Sequence, residues 1–243
     1  MNVDVIYVVY GTGHYTLLSL QHIIASTPIG RVIVVDNASE DLSLSHKRME
    51  PMLTGPNKYI PNENVGVYVA LNQALKETKS RYVLIASSDA FCAPGWYAPT
   101  IRILQDRKWG WAGPMEHNEE EYNIDFFWQT LVMPFPTSLI HGRAPSCFGI
   151  MDWHMMRDKV GLFDEQFFLT FGDTDYVERM RDAHIDYGTI MPHRVLHLVR
   201  KQIKVLDEGL TNWLTTWDEQ LFRHKWKNRP EVLERHPLMC YEI

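Results

Sequence analysis

Cysteine is scarce. The chain of 243 residues has three, Cys92, Cys147 and Cys240, an odd number with no close pair. A disulfide framework and a thiolate zinc site are therefore not expected, and a reducing, cytoplasmic compartment is. No apolar run approaches the roughly 20 residues that a membrane span requires. The N-terminus has no charged n-region or cleavage site, and Asp4 interrupts its apolar run, so no signal peptide is expected. Positive charge is not in excess either: 24 Lys and Arg against 30 Asp and Glu leave a net charge of −6. A broad nucleic-acid surface is not the expectation for such a balance. Glycine-rich phosphate cradles are missing too. The stretch from Gly11 to Thr16, GTGHYT, lacks the third glycine of a dinucleotide fingerprint, and no Walker A sequence occurs. Both observations speak against a Rossmann-type oxidoreductase.

What is present is an alternation. Val3 to Tyr10 and Arg31 to Asp36 are β-branched apolar runs of strand length, and Lys58 to Ile60 reads as a third strand. Tyr82 to Ser87 reads as a fourth. Helical spacing separates them at Thr16–Ser26 and Val69–Thr78 and follows at Trp96–Arg107, before a short strand at Gly110–Gly113. Continuous apolar strands alternating with helices predict an α/β fold, a mostly parallel sheet flanked by helices on both faces. Residues 115–145 are acidic and aromatic without periodicity and read as a substrate-facing excursion. Order returns at Cys147–Lys159, in a helix near Thr174–Ala183, in a strand near Tyr187–His197 and in an amphipathic tail over Asn212–Glu234.

Ligands of open parallel sheets bind outside the carboxyl ends of the strands. Three ends matter here: Gly11-Thr12-Gly13-His14, Asp36-Asn37-Ala38-Ser39 and Ser87-Ser88-Asp89. Two carry a carboxylate, and one offers glycines where backbone can approach a ligand. Each is also an ordinary turn composition. Without a glycine cradle, a diphosphate is best held by a hard divalent cation on oxygen ligands.

Several spaced segments, in order from about residue 3 to 227, carry a resemblance. They are VVDNASED (34–41), NENVGVYVALNQAL (62–75), SSDA (87–90), GLFDEQFFLTFGDTDYVERMRDAHID (161–186) and LFRHKW (221–226). Together they resemble glycosyltransferase family 2, enzymes of the GT-A fold, and within it the rhamnosyl- and galactofuranosyl-transferases. The resemblance implies one GT-A domain over residues 1–243, with a nucleotide-binding half (1–114), an acceptor half (115–211) and a helical tail (212–243). It implies an inverting transfer from a nucleotide-diphosphate sugar, UDP-, dTDP- or GDP-linked, to a hydroxyl of a glycan, lipid-linked sugar, protein or modified base. Tyr10, Gly11, Asp36, Asn64, Gly66, Asn72 and Ser88 would contact the donor nucleotide. Asp89 and His197 would hold Mn2+ or Mg2+, and Asp173 would be the general base.

Two positions depart from the family pattern. Ser87 stands where the first acid of a D-x-D often lies, and Gly172 replaces the Glu of an "ED" pair. These departures sustain an alternative, a catalytically silent binder of nucleotide-sugar or glycan. Local reading leaves other options open. Asp173 and Asp175 have the composition of a helix N-cap. His193 and His197, four apart, share a strand face. Tyr122, Phe126, Phe127 and Trp128 suit either an acceptor platform or a lid, whereas Phe163, Phe167, Phe168 and Phe171 read as core.

Overall fold

The computed structural model of the chain describes residues 1–11, 13–39, 55–119, 138–145, 148–198 and 208–237. The β-branched runs become β1 (Val3–Val9) and β2 (Ile29–Asn37), followed by β3 (Lys58–Asn62) and β4 (Tyr82–Ser87). All four are parallel to their neighbours, in the order β3-β2-β1-β4. The connecting helices are α1 (Gly13–Ser26) and α2 (Val67–Glu77), and α3 (Tyr97–Asp106) follows β5 (Ala90–Cys92). Alternating strand residues feed two cores. Val5, Tyr7, Val34 and Leu84 face α1 and α3, while Ile6, Ile33, Val35 and Val83 face α2. Asp4, inside the first apolar run, is wholly buried and accepts hydrogen bonds from the Lys79 and Ser80 amides and the Ser80 hydroxyl. It closes the turn between α2 and β4.

Beyond β4 the strands mix. The remaining strands are β6 (Trp111–Glu119), β7 (Ser138–His141), β8 (Phe148–Asp152) and β9 (Tyr187–Leu198). β8 pairs antiparallel with both β4 and β6, β6 runs parallel to β9, and β5 and β7 pair antiparallel with β9. The parallel alternation therefore stops at β4, whose other neighbour β8 runs antiparallel to it. β6 is longer than its sequence suggests. A register shift at Pro114/Met115 lets it continue along Arg194–Leu198 of β9, so the polar residues 115–119 are strand rather than excursion. Tyr122, Phe126, Phe127 and Trp128 lie outside the described residues, as do Cys147 and Cys240.

Among the described residues four further helices follow: α4 (Trp153–Lys159), α5 (Gly172–Asp182), α6 (Glu208–Lys225) and α7 (Pro230–Arg235). Phe163, Phe167 and Phe171 join the core on the α2 face, with Tyr176 of α5 and Phe222 of α6. Among the described residues, no helix is long and apolar enough to cross a membrane.

Candidate active site

The parallel register puts three strand tips on one edge, since Val9 of β1 lies opposite Asp36 of β2 and Val8 lies opposite Ser87 of β4. Side-chain bonds lace the tips together. Gly11 has φ 65°, which favours glycine, and its amide donates to the Ser39 hydroxyl at 2.8 Å. Asp36 is enclosed and accepts from the Ser39 amide at 2.8 Å and the Tyr59 hydroxyl at 2.7 Å. Burial, then the bond to Asp36, raises the Tyr59 phenol well above its ordinary value, which keeps it a donor. Asn37 donates to the exposed Asn64 at 2.9 Å, and Asn64 accepts from the Gly66 amide at 3.2 Å. Tyr10 and Gly11 are half-buried at the rim.

Three of the expected nucleotide contacts are buried. Asn72 has no exposed surface. Its amide nitrogen donates to the Phe163 carbonyl at 2.9 Å and to Glu165 at 3.0 Å, and its oxygen accepts from the Phe163 amide at 3.0 Å. It braces the loop of residues 160–171. Gly66 does sit in a close approach, with φ 84°, but a Cβ there would meet the Phe168 carbonyl oxygen at 2.8 Å. The approaching backbone is the protein's own. Ser88 is completely enclosed.

A charged cluster stands at the end of β4. The β5–β9 ladder sets Ala90 opposite His197, and the Leu198 amide donates to the Asp89 carbonyl at 3.0 Å. The His197 Nε2 is 3.5 Å from Asp89 Oδ1, and its Nδ1 is 2.7 Å from Glu116 Oε1. Ser87 donates to the same Asp89 oxygen at 2.6 Å, so the missing acid is replaced by a hydroxyl that orients the remaining one. Burial works against a charged ring, yet the carboxylates of Asp89 and Glu116 outweigh it and push the His197 pKa up to about 9. Glu116 carries no local signal, because it occupies the polar end of β6. Only the β6–β9 pairing brings it to a histidine 81 residues away. His193, on the same strand, lies against Gly95 instead.

No group of three or more His, Cys, Asp or Glu side chains among the described residues forms a ready-made cage for a metal. The donor set nevertheless fits a cation whose remaining ligands are phosphate oxygens. One carboxylate and one imidazole nitrogen converge, and the other ring nitrogen is bonded to a carboxylate that fixes the tautomer.

The loop leading into α5 holds the second acid. The two oxygens of Asp218, on α6, accept the amides of Phe168, Leu169 and Thr170 at 2.7 to 2.9 Å. From the other side, the Val67 amide of α2 donates to the Phe168 carbonyl at 2.7 Å. Held between these helices, the chain turns through Phe171 at φ 61°, an unfavourable conformation for a non-glycine residue, and delivers Asp173 into the first turn of α5. Asp173 Oδ1 accepts from the Thr174 amide at 2.9 Å and the Tyr68 hydroxyl at 3.4 Å. Burial pushes its carboxyl upward against these two donors, and the charge of Glu116 adds to the rise. Asp173 and the His197 cluster thus lie within electrostatic reach of one another. Asp175 has a different job: buried, it is bonded to Arg179, Lys225 and the Trp226 indole.

A family model described as "Glycosyl transferase family 2" matches residues 4–159. The chain belongs to that family. No protein of curated function matches it significantly. Several solved structures share the fold of this family 2 chain at low identity. The structure of GalNAc-T7 with UDP, GalNAc and Mn2+ superposes with a TM-score of 0.64 at 15% identity, over 81% of this chain and 44% of that one. The mannosyltransferase PcManGT from Pyrobaculum calidifontis, in complex with GDP-Man and Mn2+, gives 0.58 at 18% identity, over 83% and 58%. Residues 1–349 of S. aureus TarS in complex with UDP give 0.59 at 15% identity, over 98% and 76%. The family 2 chain thus spans less than half of the first of these proteins. Its fold is the GT-A fold, as expected. In it, Asp36 and Asp89 sit on the carboxyl edge, and Asp173 enters from the elaborated second half.

Proposed function

We propose that this family 2 member is an inverting glycosyltransferase that uses a divalent cation and a nucleotide-diphosphate sugar. The observation that carries the reading is the pairing of two acidic sites within electrostatic reach. One, Asp89 with His197, stands at the tip of β4, and the other, Asp173, is a buried carboxylate whose Oδ1 is held by the Thr174 amide and the Tyr68 hydroxyl. Inversion needs a base on the face of the sugar opposite the leaving diphosphate. Asp173 Oδ2 would accept the acceptor's hydroxyl proton as that oxygen attacks the anomeric carbon. The rise in its pKa brings it nearer the range where a base works well. The rim of Tyr10, Gly11 and Asn64, backed by Asp36, would seat the nucleotide. Asp89 and His197 would hold Mn2+ or Mg2+, which supplies positive charge against the departing diphosphate.

The solved structures that share the fold contain UDP or GDP-Man, two of them with Mn2+, which supports a donor of that class. The quoted segments favour a deoxyhexosyl or furanosyl donor, and the acceptor is a hydroxyl of unassigned chemistry.

The test is a thermal-shift panel of UDP, dTDP, GDP and CDP with and without Mn2+, followed by nucleotide-diphosphate release from the matching sugar donors. A ligand that binds only the folded state raises the midpoint. Asp173→Asn should keep the shift and lose about 100-fold or more in release. Equal, negligible release by both proteins, with the shift intact, would identify a silent binder instead, the reading to which Ser87 and Gly172 point.

A further inference from the structure

Gly172 and Tyr68 occupy each other's space. A Cβ on Gly172 would stand 2.5 Å from two atoms of the Tyr68 ring and 2.7 Å from a third. No side chain fits at position 172 while Tyr68 stays where it is, and real Cβ atoms do not approach so closely. The ring is fixed by its own neighbours. It is almost fully buried in the first turn of α2, tilted against Phe163 at 5.7 Å and edge-on to Phe167 at 6.4 Å. The start of α2 is in turn stitched to the loop through Val67 and Phe168. The phenol therefore arrives beside Asp173 on a rigid support.

Its hydroxyl is a donor there. Burial, and then the Asp173 charge, keep the phenol protonated far above neutral pH. It shares Oδ1 with the Thr174 amide, so both donors hold the same oxygen. Two donors on one oxygen fix the plane of a carboxylate that has only two side-chain torsions.

We propose that Tyr68 is a positioning residue for Asp173: its ring fills the space beside Gly172, and its hydroxyl orients the Asp173 carboxylate for the reaction. The proposal rests on the function proposed above. The absence of a side chain at 172 is then a matched substitution within this chain, and the departure from the family's acidic pair does not imply loss of activity.

The experiment compares wild type, Tyr68→Phe, Asp173→Asn and the double variant. Tyr68→Phe keeps the ring and its packing and removes one hydroxyl, so its thermal midpoint should stay within about 3 °C of wild type. Expected is a kcat about 10-fold lower with the donor KM unchanged, and no further loss when the change is added to Asp173→Asn. A second readout does not depend on turnover. Asp173 carboxyl 13C titration should move to higher pH in Tyr68→Phe, since the groups facing that carboxyl are the Tyr68 hydroxyl, the Thr174 amide, its own backbone amide and Glu116, and the phenol is one of the donors that hold it down. An unchanged titration would overturn the contact, and an unchanged kcat in an active enzyme would overturn the positioning role. If the titration moves but Asp173→Asn is as active as wild type, the assignment of the base fails and the positioning role falls with it.

Discussion

Raising the pH should loosen this protein by an amount set largely by one imidazole. His197 sits between Asp89 and Glu116, and its pKa of about 9 lies well above the roughly 6.5 of an unfolded histidine. A group whose pKa is higher in the folded state contributes stability that is complete below the unfolded value and lost as the pH passes the folded one. The window therefore runs from about 6.5 to about 9. Its size follows from about 1.4 kcal/mol per pH unit, giving a loss of about 3 kcal/mol. Urea unfolding followed by tryptophan fluorescence at several values between pH 6.5 and 9.5 measures it directly. Other alkaline groups contribute too, so the decisive quantity is the difference from Glu116→Gln. Removing one of the two carboxylates should shrink the pH-dependent loss to roughly half. If His197 serves as the proposed ligand, the same window would govern cation binding, because a ring nitrogen must be unprotonated to act as a ligand. Mn2+ affinity should accordingly climb with pH across it. Parallel stability curves for wild type and Glu116→Gln would refute the reasoning.

Asp218→Ala strips three buried or half-buried amides of their acceptor and should cost about 3 kcal/mol or more in chemical denaturation. A loss below 1 kcal/mol would mean that the loop is anchored elsewhere. Asn72→Ala should lower the unfolding midpoint while leaving the nucleotide affinity of the folded protein unchanged, because its bonds all point to the Phe163–Glu165 loop. Weaker nucleotide binding by calorimetry, at unchanged stability, would restore it to the donor site. Gly172→Ala should destabilise by about 1 to 3 kcal/mol through overlap with the Tyr68 ring, and the loss in Gly172→Ala combined with Tyr68→Ala should fall short of the sum of the two single losses.

The front of the fold was legible because its strands are buried on both faces and read as unbroken β-branched runs. β1, β2 and β4 follow that rule, and their tips led to Asp36 and Asp89. The back was less legible for reasons that particular residues make plain. Met115 to Glu119 is strand by virtue of its partner β9, and its own polar composition argues for a loop. Glu116 and Asp218 act on residues 81 and about 50 positions away, so no local pattern announces them. Gly66 and Asn72 belong to a segment for which the family pattern implies nucleotide contact, and in the fold they pack against Phe168 and Phe163, which no local pattern announces. Asp173 and Asp175 look alike in sequence. Three basic or indole donors on Asp175 separate them.

The anchoring of the loop by Asp218 bears on the order in which the working protein is made. A ribosome releases the four parallel strands first, and they can collapse on α1 and α2 while α6 is still unsynthesised. At that stage the turn through Phe171 has no restraint from behind, and its strained geometry has nothing to hold it. A nascent chain would thus complete the edge that carries Asp36 and Asp89 about 130 residues of translation before Asp218 can hold the turn that presents Asp173.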